Sequence, residues 1–393
     1  MKILEYEIDL KSLKNNLEDL ADINRKMIYE EQPDLIQYLD YENDNIFLEP
    51  TLFFYPKDNK SYSFTTSIEQ LVFGYSNNKT AFDEMLVISD SNGYINLPGY
   101  GYLKTIPDNK FYFKVSSNGQ EIKLLNRNRE NIDFIFEDFK YIEGTKVKLI
   151  EHQPEILSNY LVTHFNEPVA KTAANFHDNI SSAFEIIKQL SPDFAELLEK
   201  TNREFCIFNS KMPPYSMAAL FYFGTAFMNT NNEKHGTVFL IDDISHQAGH
   251  TLFYGLTHDF NTYLMPPPNT PLQNFTKFSG EARDIYGAFH GLFTYTAIID
   301  SLTKFIENNI YKDKLEYTEA IARLGFYMNK FVEDLKDLNN KEILTPIGFS
   351  HYEMFHAGYS LIESKYKLLY STFDFSNQDY IFNFQKFLDL NKI

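Results

Sequence analysis

A change of apolar rhythm near residue 150 constrains this chain more than any other feature. Between Leu52 and about Ile150 it offers short β-rich runs: "LFFYP", "MLVIS", "KFYFKV" and "EIKLL". Turn sequences separate them at "DSNG" (Asp90–Gly93) and "SSNG" (Ser116–Gly119). Aromatic and branched residues bounded by Asp, Asn, Ser and Gly predict an antiparallel, β-rich region. From about Pro154 onward, "AANFHDNISSAFEIIKQL" and "KLEYTEAIARLGFYMNKFVEDLKDL" place apolar residues three and four apart, the period of one helix face. "LTPIGFSHYEMF" adds a helix start, with Thr345 as N-cap and Pro346 at the first helical position. Ahead of Leu52, "SLKNNLEDLADINRKM" predicts an acidic helical lead-in. The expected class is therefore α+β. Residues 1–150 are expected to form a helical lead-in and a β-rich region, and residues 151–393 a mainly helical region.

Composition narrows the function. A formal net charge of −18 disfavours a nucleic-acid backbone or an anionic membrane as partner, and leaves a basic peptide or a small molecule open. The single cysteine, Cys206, permits no internal disulfide and no Cys-based metal site, and between Phe205 and Ile207 it reads as a buried structural thiol. The start, "MKILEYEIDLKSLKNN", scatters charge where a signal peptide would be apolar, and the longest apolar run, Met217 to Met228, is too short to span a bilayer. The expected setting is cytoplasmic. Phosphate-binding glycine loops and the G-x-S-x-G nucleophile elbow are both missing from the sequence.

The chemistry concentrates in "DDISHQAGH" (Asp242–His250). His246 and His250 are four apart, so on a helix they share a face and can bite one metal ion. Forty residues later, "GEARDIYGAFHGLFTYTAIID" (Gly280–Asp300) reads as a second helix, carrying His290 between Gly287 and Gly291. Glycine costs about 1 kcal/mol in a helix interior, so two of them beside a histidine point to a close approach, whether of a ligand or of a packed helix. His290 is the favoured third metal ligand and Glu281 the competing one. Between the helices runs a proline-rich connection, Asn261 to Gly280, a candidate lid or substrate wall.

Arg283 precedes His290 by seven residues, two helical turns. Three protein ligands on one face leave open metal positions, as in non-haem Fe(II) oxygenases. A dicarboxylate chelating that metal would reach Arg283 with its far end; the plain alternative is an ion pair of Arg283 with Glu281 or Asp284. Gln247 stands where the H-E-x-x-H pattern of zinc peptidases has the glutamate base. A glutamine takes up no proton at neutral pH, so hydrolysis loses its base while metal binding keeps its ligands. Gln247, His258 and Glu281 are candidates for supporting the ligands. His351 and His356 are five apart, off any common helix face, and His152, His164, His177 and His235 have no evident partner.

"VFLIDDISHQAGHTLF" followed by "EARDIYGAFHGLFTY" resembles the HExxH-motif proteins of ribosomally synthesised, post-translationally modified peptide pathways. "MLVISDSNGYINLPGYGYLKT" is similar to that family's strand–turn region, and "ILTPIG" to a recurring stretch near its C-terminus. The resemblance implies an iron(II)- and 2-oxoglutarate-dependent hydroxylase acting at the β-carbon of a residue in a precursor peptide. It implies that His246, His250 and His290 hold the iron and that Arg283 holds the 2-oxoglutarate carboxylate. Gln247 departs from the family pattern. Two other readings stay open: a zinc metallopeptidase-like protein, and a non-catalytic peptide-binding scaffold.

Overall fold

A computed structural model gives the architecture. It describes all residues except 62–65, 117–118, 120, 162–163, 213–214, 232–235 and 277–280. His235, Gly280 and the centre of the "SSNG" turn lie outside the described residues. The fold is α+β, with its sheets in the N-terminal part and a mainly helical C-terminal part. Among the described residues no helix is long and apolar enough to cross a membrane.

The chain forms two compact units, each from discontinuous segments. One holds residues 14–178 and 199–233. Its antiparallel sheet runs in the order Met85–Ile88, Lys110–Val115, Ile122–Leu125, Asn131–Ile132. "MLVIS", "KFYFKV" and "EIKLL" thus form strands as expected. A second sheet pairs Tyr94–Leu97, Gly101–Lys104 and Ile135–Glu137. In the "DSNG" turn, Asp90 Oδ1 accepts from the backbone N–H groups of Asn92 and Tyr94, each at 2.8 Å, and Gly93 supplies a positive φ of 84°.

Two features of this unit differ from the sequence reading. "LFFYP" lies in a helix, Pro50–Ser61, which starts on a proline and buries Leu52 and Phe54. Phe54 belongs to a core with Ile150, Cys206, Phe208, Tyr222 and Phe227, and that packing overrides local strand propensity. Cys206 is buried there, its pKa pushed well up by burial. Beyond residue 150 the helical pattern is interrupted by two parallel strands, Glu204–Phe208 and Thr225–Asn229, which pair Glu204 with Thr225 through Phe208 with Asn229. Every residue of both is buried, so neither shows the alternation that marks a one-sided strand.

The other unit holds residues 1–13, 179–198 and 234–393. Four long helices dominate it: Thr237–Thr257, Ile285–Glu307, Lys314–Leu338 and Pro346–Tyr370. Ile285–Glu307 is central, packing on the helix before it and the helix after it. It is apolar almost all round, as a core helix must be, and Thr294, Thr296 and Thr303 return their buried hydroxyls to its own carbonyls. Three of these helices have side-chain caps. Asp284 accepts from Gly287 N, Asp313 from Leu315 N and Glu316 N, and Thr345 from Gly348 N at 3.0 Å. The N-terminal hairpin, Lys2–Ile3 with Tyr6–Glu7, sends Tyr6 to stack on Phe355, ring centroids 4.6 Å apart, and to hydrogen-bond His351 Nδ1 at 2.8 Å.

Candidate functional site

His246 and His250 project from one face of Thr237–Thr257, their ring centroids 5.1 Å apart. Ile285–Glu307 packs against this helix, and a Cβ on Gly249 would meet Ala297 Cβ at 3.7 Å, an ordinary contact. That approach delivers His290, whose Nδ1 lies 3.5 Å from Nδ1 of His250 with the two rings inclined by 15°. His290 is 1% exposed, and around its ring stand Tyr254 and Tyr286, each 4.3 Å between centroids, and Phe253 at 4.7 Å. Of the three histidines expected from sequence, His246 and His290 each lie beside His250.

Hydrogen-bond accounting assigns the proton on His290. The Thr257 hydroxyl donates to Phe253 O at 2.7 Å, which uses its one hydrogen. Towards His290 Nε2, at 3.2 Å, it can then only accept. With the hydroxyl hydrogen so placed, the Nε2–H tautomer of His290 is the one that satisfies Thr257, and in it Nδ1 would turn a lone pair towards His250. All three imidazoles are held neutral. Burial lowers His250 to about 4. Burial first, then the His250 charge, takes His246 and His290 well below the ordinary value, with Lys330 adding to the effect on His246. Neutral imidazoles with aimed lone pairs are what a borderline divalent metal takes. Two nitrogens on one tetrahedral zinc stand about 3.3 Å apart for Zn–N of about 2.0–2.1 Å, so the His250–His290 spacing suits a shared ion. The donor set fits a metal. The geometry is less complete: among the described residues no group of three or more His, Cys, Asp and Glu is arranged to hold an ion. His250 and His290 are aimed at each other, and His246 stands beside them facing Tyr327, 6.2 Å between centroids.

The remaining expected residues are placed differently. Arg283 lies just outside its helix, which begins at Ile285 after the cap Asp284. Its guanidinium forks onto Asp334 through Nη1 at 2.6 Å and Nη2 at 2.7 Å, and onto Glu281 through Nε at 3.0 Å and Nη2 at 2.7 Å. A co-substrate carboxylate would have to displace one of them. Glu281 has both oxygens on Arg283, which takes it out of competition as third ligand. Gly291 makes room for this cluster, since a Cβ there would stand 3.0 Å from Asp334 Oδ2 and 3.7 Å from Arg283 Nη1. Gln247 is buried and donates to Asp243 Oδ1 at 3.2 Å. His258 caps the C-terminus of the histidine helix.

Sequence reasoning missed Tyr254, Thr257, Tyr286 and Asp334. Tyr254 and Thr257 were within reach, four and seven residues after His250 on the same helix stripe. Asp334 lies 51 residues from Arg283 and carries no local signal. No family model matches this chain, and no curated protein matches it.

Proposed function

We propose that the chain is an Fe(II)- and 2-oxoglutarate-dependent oxygenase that hydroxylates the β-carbon of a residue in a ribosomally made precursor peptide. His246, His250 and His290 would hold the metal. One observation carries the reading: Nδ1 of His250 and Nδ1 of His290 face each other at 3.5 Å inside an aromatic enclosure, with the Thr257 hydroxyl 3.2 Å from His290 Nε2. Iron held there would supply, with O2 and the 2-oxo acid, the oxidant, and the balance would be peptide C–H, 2-oxoglutarate and O2 consumed, and alcohol, succinate and CO2 formed. The protein's part is to aim neutral imidazoles and to exclude water with Phe253, Tyr254 and Tyr286. Hydrolysis is poorly served, because Gln247 is bound to Asp243 and Glu281 to Arg283, leaving neither as a base. The acidic surface suits a neutral or basic peptide better than nucleic acid.

The test is anaerobic loading with Fe(II) and 2-oxoglutarate, followed by visible absorption, metal analysis and succinate assay. His250→Ala should lose more than about 100-fold in iron affinity, beyond the 10–100-fold typical of removing a group that merely supports a ligand. Iron content and succinate unchanged in that variant would overturn the proposal. The non-catalytic scaffold is favoured by one observation: among the described residues no three His, Cys, Asp or Glu side chains are grouped to hold an ion. Peptide binding retained by a protein that takes up no metal would select it.

A further inference from the structure

A cavity of about 430 Å3 lies in the helical unit, lined by Arg283, Phe326, Lys330, Asp334, Phe375 and Tyr380 among others. That volume falls within the range of about 300–1,000 Å3 common for small-molecule sites. Its charged groups are unequally satisfied. Arg283, Asp334 and Glu281 saturate one another. Glu333, also in the wall, pairs with Lys336 at 2.6 Å. Lys330 differs. Its Nζ donates to the carbonyl of Tyr380 at 2.8 Å and stands 3.9 Å over the Tyr380 ring and 5.3 Å from that of Phe326. Among the described residues no carboxylate lies within ion-pair distance of it. An ammonium has three donors, and a half-buried one with a single hydrogen bond is poorly compensated. Burial first, then the charge of Arg283, lowers it to about 8. Its field also reaches His246.

We propose that Lys330 is the cation of a carboxylate-binding site in this cavity. The ammonium would receive the carboxylate in a charge-assisted hydrogen bond, and Phe326, Phe375 and Tyr380 would cover the ligand's carbon stem. The carboxylate can come from a small organic acid or from the C-terminus of a peptide. Naming that acid as an oxygenase co-substrate rests on the reading above; the carboxylate site does not. The site moves the anion clamp from Arg283, which is occupied, to Lys330.

The test reads Lys330 itself, without metal. The full chain is acetylated with limiting acetic anhydride in EDTA at mildly alkaline pH and constant ionic strength, and each lysine is quantified by peptide mass spectrometry. The arms are no ligand, 2-oxoglutarate, succinate, a short peptide with a free C-terminus, and that peptide amidated. With a carboxylate at roughly ten times its Kd, Lys330 acetylation should fall about tenfold while exposed Lys14 is unchanged. Protection by the free-acid peptide alone assigns the site to a peptide terminus, and protection by the dicarboxylates assigns it to a small acid. Equal acetylation in every arm overturns the proposal. So does Lys330→Met, which keeps the apolar stem, if it still binds 2-oxoglutarate by ligand-observed NMR. Protection without iron uptake removes the oxygenase reading alone, and iron uptake without protection removes the carboxylate site alone.

Discussion

At the scale of single residues, this protein keeps its buried histidines uncharged, and that has a pH signature. His152, in the β-rich unit, is 2% exposed, and its Nδ1 lies 3.2 Å from the Tyr102 hydroxyl. Burial first, and then the charge of Lys148, push it down to about 3. Its ordinary value is 6.5. Between those values the unfolded chain binds a proton that the folded chain refuses, so stability falls as pH drops below 6.5. The slope from this residue reaches about 1.4 kcal/mol per pH unit. His351, lowered to about 4 by burial, adds to the upper part of the window. Urea unfolding measured from pH 6.5 down to 4 should steepen the loss, and His152→Gln should flatten it. An unaltered slope in that variant would count against this account. The three site histidines were legible as residues, because the four-residue spacing and the glycine-flanked His290 are local facts. Which nitrogen carries the proton was not, since it depends on a threonine hydroxyl on a different helix.

At the scale of elements, glycine and cap positions show what the sequence could and could not say. Thr345 caps Pro346–Tyr370 as its sequence predicts. Gly348, three residues on, has a reason that only the fold supplies: a Cβ there would lie 2.2 Å from the carbonyl oxygen of Tyr263. Gly348→Ala should therefore destabilise by about 1–3 kcal/mol, the usual cost of overpacking, against a gain of up to about 1 kcal/mol in helix propensity. Thermal and urea unfolding check the sign, and a stabilised variant would show that Tyr263 gives way. Gly291 was expected to admit a close neighbour, and it does, but the neighbour is the Arg283–Asp334 pair. The strands Glu204–Phe208 and Thr225–Asn229 escaped notice because full burial removes the alternation that identifies a strand. "LFFYP" misled in the opposite sense, its β-rich composition being overruled by the core around Phe54.

At the scale of the whole molecule, the change of rhythm near residue 150 marks a change of secondary structure and not a place to cut. Lys148 and Leu149 pair in parallel with Glu204 and Phe205, within one unit, and Lys148 Nζ meets Glu204 Oε1 at 2.7 Å. A fragment of residues 151–393 would leave Glu204 buried without its cation and Tyr6 missing from the stack on Phe355. It should show no cooperative thermal transition by circular dichroism, whereas the full chain should show one; a sharp transition in the fragment would contradict this. Such interleaving is invisible to periodicity, which reads neighbours in sequence only. The Tyr6–His351 hydrogen bond spans 345 positions. At about 5–20 residues per second of synthesis, the first hairpin would wait roughly 17–70 seconds for its partner to be made. In that interval Phe253 and Phe293 can receive the Tyr6 ring, but its hydrogen-bond and stacking partners on Pro346–Tyr370 are still unmade, so this end of the unit closes late in synthesis.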